Sequence, residues 1–206
     1  MQVSIHRLAG VAAETIASRR AELDRLNEAV GDGDHGTNLA RGLSDFVSTP
    51  VPAGETQVAA LRRLAETLRS TTGGTGGAAY AGLFEGMADA ATYDSIGPDD
   101  LVPMLRAGIE RVAREGGIER GQKTLLDVLG PLADRLQHVA PDGVVKRPAG
   151  RGGLDDLVVA TVAHALHRTT YLERPGHPAS VGHIDAGACS AALVIGAVVG
   201  ALTRRD

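Results

Sequence analysis

The sequence predicts an all-α chain: eight helices in an up-and-down bundle or helical barrel, one domain spanning residues 1–206. Three observations carry this expectation. Apolar residues recur at helical spacing along most of the chain. No stretch shows the alternation of a half-buried strand. Most of the 27 glycines fall between the periodic stretches rather than within them.

The first helix is expected over about residues 3–28, where Leu8, Val11, Ala12, Ile16, Leu23 and Leu26 share a face. A second runs from near Thr37 to Val47, closed off by Pro50 and Pro52. A third covers about 55–70, with Val58, Leu61, Leu64 and Leu68 on one side, and a fourth runs from Ala78 to Ala91. Pro98-Asp99-Asp100 open a fifth helix, to about Glu115, with acids where the helix dipole favours them. The sixth, Lys123 to Val139, contains Pro131, which predicts a kink or a restart. Asp155–Leu172 and Ala186–Leu202 complete the set, and the linker at 141–153 reads as a solvated crossing.

Bulk properties narrow the function. The size suits a single domain with a sizeable core. Aromatics are 2%, Trp is absent and the net charge is −4, so stacking on bases and nucleic-acid binding are not expected. Cys189, the single cysteine, cannot form an internal disulfide, which favours a reducing cytoplasm. His6, Glu14 and Arg19-Arg20 break any signal-peptide core. The apolar stretch Ala191–Leu202 is short for a membrane span and is expected to be a buried core helix.

Chemistry is expected in the loops. Gly31-Asp32-Gly33-Asp34-His35-Gly36-Thr37-Asn38 places two carboxylates two residues apart before a helix start. In an extended loop they face one way, which suits Mg²⁺ with phosphate oxygens nearby. An ordinary acidic turn is the competing reading. It is no EF-hand loop, since Thr37 and Leu43 stand at its sixth and twelfth positions.

A second loop, Thr71-Thr72-Gly73-Gly74-Thr75-Gly76-Gly77-Ala78, offers backbone N–H groups to an anion, or is a flexible connection. A third, Gly116–Thr124, fails as a P-loop because Gln122 parts Gly121 from Lys123. Lys123 there reads as a solvated lysine at a helix start, or as a phosphate contact. The fourth, Gly182–Ala188, contains Asp185, either an N-cap or part of a closure over a ligand. Because alternate connections share an end in an up-and-down bundle, the four loops are expected to converge on a nucleotide-type pocket.

These segments resemble the L subunit of dihydroxyacetone kinase over nearly the whole chain. The likeness rests on the Gly31–Asn38 string, Gly73–Gly77, Gly121-Gln122-Lys123-Thr124-Leu125-Leu126-Asp127, Arg168–Leu172 and Gly182–Ser190. The resemblance implies an eight-helix antiparallel barrel with ADP or ATP at its open end. It implies Mg²⁺ on Asp32 and Asp34, with Asn27 standing where the family has a third aspartate. His35, Gly36, Thr37 and Asn38 would line the phosphate side, Thr75 and Gly76 the glycine-rich contact, and Gly116 and Leu125 the base or ribose.

Arg168 and Asp185-Ala186-Gly187 would close the site, with Arg174 the other candidate lid arginine. Asp24, one turn before Asn27, would compensate its missing charge through water. Gly76 stands where the family has serine, Ala186 replaces a proline, and Pro175-Gly176-His177-Pro178 lies in an insertion.

The implied chemistry is phosphoryl transfer to a small ketose held on a separate K subunit, with ATP exchanging or with bound ADP recharged by a phosphotransferase-system protein. No second polar cluster for a sugar is evident in the sequence. A non-catalytic nucleotide-binding regulator, or a kinase subunit for another short sugar, are the other readings.

Overall fold

Each apolar stripe forms its helix and buries it against a neighbour. The computed structural model describes residues 4–28, 31–72, 74–139 and 153–203. Among them are nine α-helices: α1 Ile5–Ser18, α2 Arg20–Glu28, α3 His35–Ser48, α4 Gln57–Thr71, α5 Gly74–Asp89, α6 Leu101–Gly116, α7 Leu126–Val139, α8 Leu154–Arg168 and α9 Ala186–Thr203. Short 3₁₀ turns occupy Pro98–Asp100, Thr169–Tyr171 and Pro178–Ser180.

The ninth helix arises because the expected first helix is interrupted. Arg19 leaves helical geometry (φ −111°, ψ 10°), and α1 and α2 meet there. Counted as one broken rod, the helices are the expected eight. Each packs on the next in the chain, and α9 packs on α1, so the ring closes as an up-and-down barrel.

Three other expectations change. Helix α5 begins at Gly74, so the second glycine loop is mostly the first turn of a helix. Helix α7 starts at Leu126, not Lys123, and runs unbroken through Pro131. Proline removes a backbone donor there, but the apolar face around it (Val128, Leu129, Leu132, Ala133) is fully packed. Helix α9 is a wall of the barrel rather than a buried core rod. Ala186 and Ala188–Ala191 are buried, whereas residues 192–202 are half-buried or exposed, because a wall helix has an outer face. No helix among the described residues is long and apolar enough to cross a membrane. The linker expected at 141–153 lies outside the described residues except for Gly153.

The main core runs through the barrel from Ala12, Ile16 and Leu23 to Phe46, Leu68, Leu126 and Ala191. Toward one end the walls do not meet. A cavity of about 410 Å³ remains between Leu8, Leu64, Phe84, Met104 and Val198, lined almost wholly by helix side chains. It adjoins the start of α1, α4 and α6 and the end of α5 and α9.

Candidate nucleotide site

The opposite helix ends carry the expected loops, and the structure brings all four together. A second cavity, about 490 Å³, is lined by Asn27 from the end of α2, His35 from the start of α3, Gly76 from α5, Gly116 from the end of α6, Leu125 from the third loop, and Asp185 with Gly187 from the fourth. Its volume suits a small ligand or cofactor. Arg69, Lys123 and Arg174 also reach it.

The acidic loop is arranged around an unusual cap. Asp34 occupies the N-cap position of α3, yet its side chain makes no capping hydrogen bond. Asp24 of α2 does that work instead: it accepts from the Thr37 backbone N–H at 2.8 Å and from the Thr37 hydroxyl at 2.7 Å. An N-terminal donor is thereby satisfied by another helix. Asp34 is left free to face Asp32, and Asp24 is spent as a cap, so the expected compensation for Asn27 through water gives way to a structural role.

Asp32 and Asp34 sit within hydrogen-bonding reach of each other. Loss of hydration, then the neighbouring Asp32 carboxyl, push Asp34 above the usual carboxylate range. The hydrogen bond from Asp34 holds Asp32 below it. Two adjacent carboxylates without a lysine or arginine between them fit a hard cation, and Mg²⁺ needs no more than one or two of them beside phosphate oxygens. No group of three or more His, Cys, Asp or Glu side chains assembles for a metal among the described residues. Asn27 donates its Nδ2 hydrogen to Asp32 Oδ1 at 3.0 Å, so it meets the carboxylate as a donor.

Packing requires glycine at Gly36. A Cβ there would lie 2.3 Å from the Arg20 carbonyl oxygen and 2.8 Å from the Leu23 Cβ, so only glycine lets α3 approach α2 this closely. Thr37 is tied to Asp24, and Asn38 accepts from Arg41 at 2.8 Å. These three residues shape the acidic loop without lining the cavity.

His35 does line it. Burial holds its imidazole below the usual range, which favours the neutral ring. Its Nε2 lies 2.9 Å from Ser190 Oγ, which is also 2.8 Å from the Tyr80 hydroxyl. Ser190 gives its own proton to the Gly187 carbonyl at 2.9 Å, so it accepts from both Tyr80 and His35 Nε2. His35 Nδ1 then faces α5 as an acceptor, 2.9 Å from where a Cβ on Gly76 would stand. That contact explains glycine in place of the resembled family's serine. Thr75 lies in the first turn of α5, next to Gly76, and its side chain is outside the described residues.

In the fourth loop, Asp185 is 4% exposed and accepts the Ala188 N–H at 2.6 Å, an N-cap for α9. It is thus the expected cap, and it also lines the cavity. Burial pushes its carboxyl up to about 6, partly opposed by the Ala188 N–H and by the charges of Arg174 and Lys123. Ala186 is buried beneath it.

The structure separates the two candidate arginines. Arg168 ends α8 on the exposed side and does not line the cavity, whereas Arg174 does. Lys123, expected in solvent, is 1% exposed. Nothing in the local sequence beyond its place between Gln122 and Thr124 marks it for burial.

Comparison with known proteins agrees with this picture. The chain matches the DAK2 domain over residues 29–200. It is 31% identical over 195 residues to the PEP-dependent dihydroxyacetone kinase 1, ADP-binding subunit DhaL, of Listeria innocua, spanning 90% of this chain and 89% of that one. It is 30% identical to the D-erythrulose kinase of Mycolicibacterium smegmatis over 93% of this chain, but spans only 34% of that longer protein. Its fold is similar to that of the dihydroxyacetone kinase from C. freundii in complex with AMP-PNP and Mg²⁺ (TM-score 0.73, 20% identity), covering 96% of this chain and 33% of that one. With its closed ring of helices and a match over most of its length, the chain belongs to the DAK2-domain family, alongside the DhaL-type subunits of dihydroxyacetone kinases.

Proposed function

We propose that this chain is the nucleotide- and Mg²⁺-binding subunit of a kinase, passing a phosphoryl group to dihydroxyacetone or a related short ketose held on a separate K subunit. The observation that carries the reading is the Asp32–Asp34 pair, freed from capping by Asp24 and set beside a cavity lined by His35 and the first turn of α5. ADP or ATP would lie in that cavity. Backbone N–H groups of the Gly74–Gly77 turn would hold its phosphates, with His35 at the start of α3 beside them. Arg174, which lines the cavity while Arg168 does not, would meet them. Leu125, Gly116 and Ile118 supply an apolar wall for the base.

Mg²⁺ bound on Asp32 and Asp34 would supply the positive charge that phosphoryl transfer requires. The protein's own part is positioning. Neutral His35, locked by Ser190, keeps an acceptor toward α5, and Asp24 keeps both carboxylates available.

One observation favours a second reading. Asn27 meets Asp32 through its N–H, which offsets part of that carboxylate's charge without a metal and suits a nucleotide-binding regulator with a reduced metal site.

Denaturing the purified protein and identifying any released nucleotide tests the proposal. Stoichiometric ADP supports a held cofactor recharged by a phosphotransferase-system protein. An empty protein that binds ATP only with Mg²⁺ supports exchange. In both cases Asp34→Asn should weaken Mg²⁺-dependent binding by about 100-fold or more. Nucleotide binding indifferent to Mg²⁺ and to Asp34→Asn would favour the regulator. Absence of nucleotide binding would overturn both readings.

A further inference from the structure

Lys123 is the one non-glycine residue with positive φ (60°) among the described residues, and its side chain is buried. A left-handed lysine is conformationally costly, and glycine would sit there with ease. The turn is nonetheless held firmly: Asp127 accepts from the Gly121 N–H at 2.5 Å and from the Thr124 N–H at 2.8 Å, which aims Lys123 inward.

Among the described residues its ammonium meets three backbone carbonyls and no carboxylate at hydrogen-bonding range. Nζ donates to Thr169 O at 2.5 Å, Leu172 O at 3.2 Å and His183 O at 2.5 Å. Three donors thus find three acceptors, the full capacity of an ammonium. Burial lowers its proton affinity, and the nearby Asp185 and Asp127 charges act the other way.

The position of those carbonyls is what matters. Thr169 and Leu172 stand where the 172–183 segment leaves α8 and its 3₁₀ turn, and His183 stands where the segment returns toward α9. One ammonium therefore cinches both ends of a single loop. Within it, Arg174 N–H donates to the buried Ser180 hydroxyl at 2.8 Å, His177 N–H to Arg174 O at 2.8 Å, and Gly182 N–H to Thr170 O at 2.8 Å. The loop is internally bonded and anchored at its neck, in the manner of an Ω-loop. It carries Arg174 into the cavity, and Asp185 follows directly after the neck.

We infer that Lys123 is a positioning residue for the nucleotide site: it holds the 172–183 loop so that Arg174 reaches the bound phosphates. This rests on the nucleotide reading of the cavity.

Two measurements on the full chain separate the inference from that reading. Hydrogen–deuterium exchange without nucleotide should show Lys123→Met raising exchange at least about tenfold across 172–183, with α1, α3 and α4 protected as in the wild type. Calorimetric titration with Mg-ADP should then show Arg174→Ala weakening wild-type binding about tenfold, but the Lys123→Met protein by less than about threefold, because the two residues act as a unit.

Unchanged exchange in the loop, or additive losses, overturns the inference. Wild-type protein that binds no Mg-ADP overturns the nucleotide reading, while the exchange data still decide whether Lys123 holds the loop. Should Lys123→Met not fold, Lys123→Arg and Ser180→Ala are read in the same assays. Lys123→Arg cannot place one point charge among three carbonyls, and Ser180→Ala frees the Arg174 N–H. Both should loosen 172–183 and weaken Mg-ADP binding, and wild-type values for both would overturn the inference.

Discussion

The two cavities of the barrel lie at opposite helix ends and are built from different materials. The apolar one is walled by side chains that the helices project inward: Leu8, Leu39, Leu64, Phe84 and Met104. The polar one is walled mainly by helix ends and loops: His35 at the start of α3, a glycine first turn, a left-handed lysine and a buried aspartate. Tyr80 lines the first and His35 the second, and Ser190 joins them by hydrogen bonds. A chain of side-chain hydrogen bonds therefore links the two cavities through the core. The contrast teaches that stability and binding are housed separately, so substitutions should sort by end.

The largest stability effect is expected at the apolar end. Leu64→Ala removes a buried wall side chain beside existing empty space, and should cost about 2–5 kcal/mol in denaturant unfolding. Its Mg-ADP affinity should stay within about twofold of the wild type, since the substitution lies far from the polar loops. A large affinity loss would break the separation.

Asp185→Asn at the polar end should do the reverse. With its carboxyl at about 6, against an ordinary value near 4, Asp185 keeps a proton in the folded state that the unfolded chain has already released between those pH values. Stability from this group is complete below pH about 4 and is lost as the pH rises through about 6. Asparagine caps α9 as well as aspartate and cannot ionise. The variant should flatten that decline and be more stable at pH 7, by something on the order of 3 kcal/mol, yet bind Mg-ADP less tightly. Thermal unfolding from pH 4 to 8 measures the first, and titration the second.

Ser190→Ala cuts that link and should do some of both. It leaves the buried Tyr80 hydroxyl and His35 Nε2 without their partner, costing about 1–3 kcal/mol. His35 becomes free to turn, and a threefold to tenfold affinity loss is expected from misorienting it. Loss of stability with unchanged affinity would place His35 outside the binding machinery.

The same division explains what could be read from the chain before its structure. Helix spacing reported the walls because Leu61, Leu64 and Leu68 must share a face whatever they pack against. The acidic loop and the glycine turn were legible because their backbone needs are local. The residues that were misplaced act across the fold.

Asp24 caps a helix 13 residues downstream. Lys123 is bonded to carbonyls 46 to 60 residues away. Arg168 ends α8 exposed whereas Arg174, in the loop that follows, lines the cavity, a difference periodicity cannot express. Just beyond the break at Arg19, the Arg20 carbonyl packs close on Gly36, a contact between helices that no single stripe reveals.

The closure of the ring by α9 on α1 has a consequence for how the protein is made. Most of the other wall contacts join helices that follow one another along the chain, so much of the barrel can grow in the order of its synthesis with short loops to close. The last seam cannot. Ala9, Ala12 and Ile16 of α1 must wait with part of their apolar face uncovered until α9 has left the ribosome. Because Asp185, Gly187 and Ser190 arrive with α9, the same late event that seals the barrel also completes the pocket, and a nascent chain cut short before it would have neither.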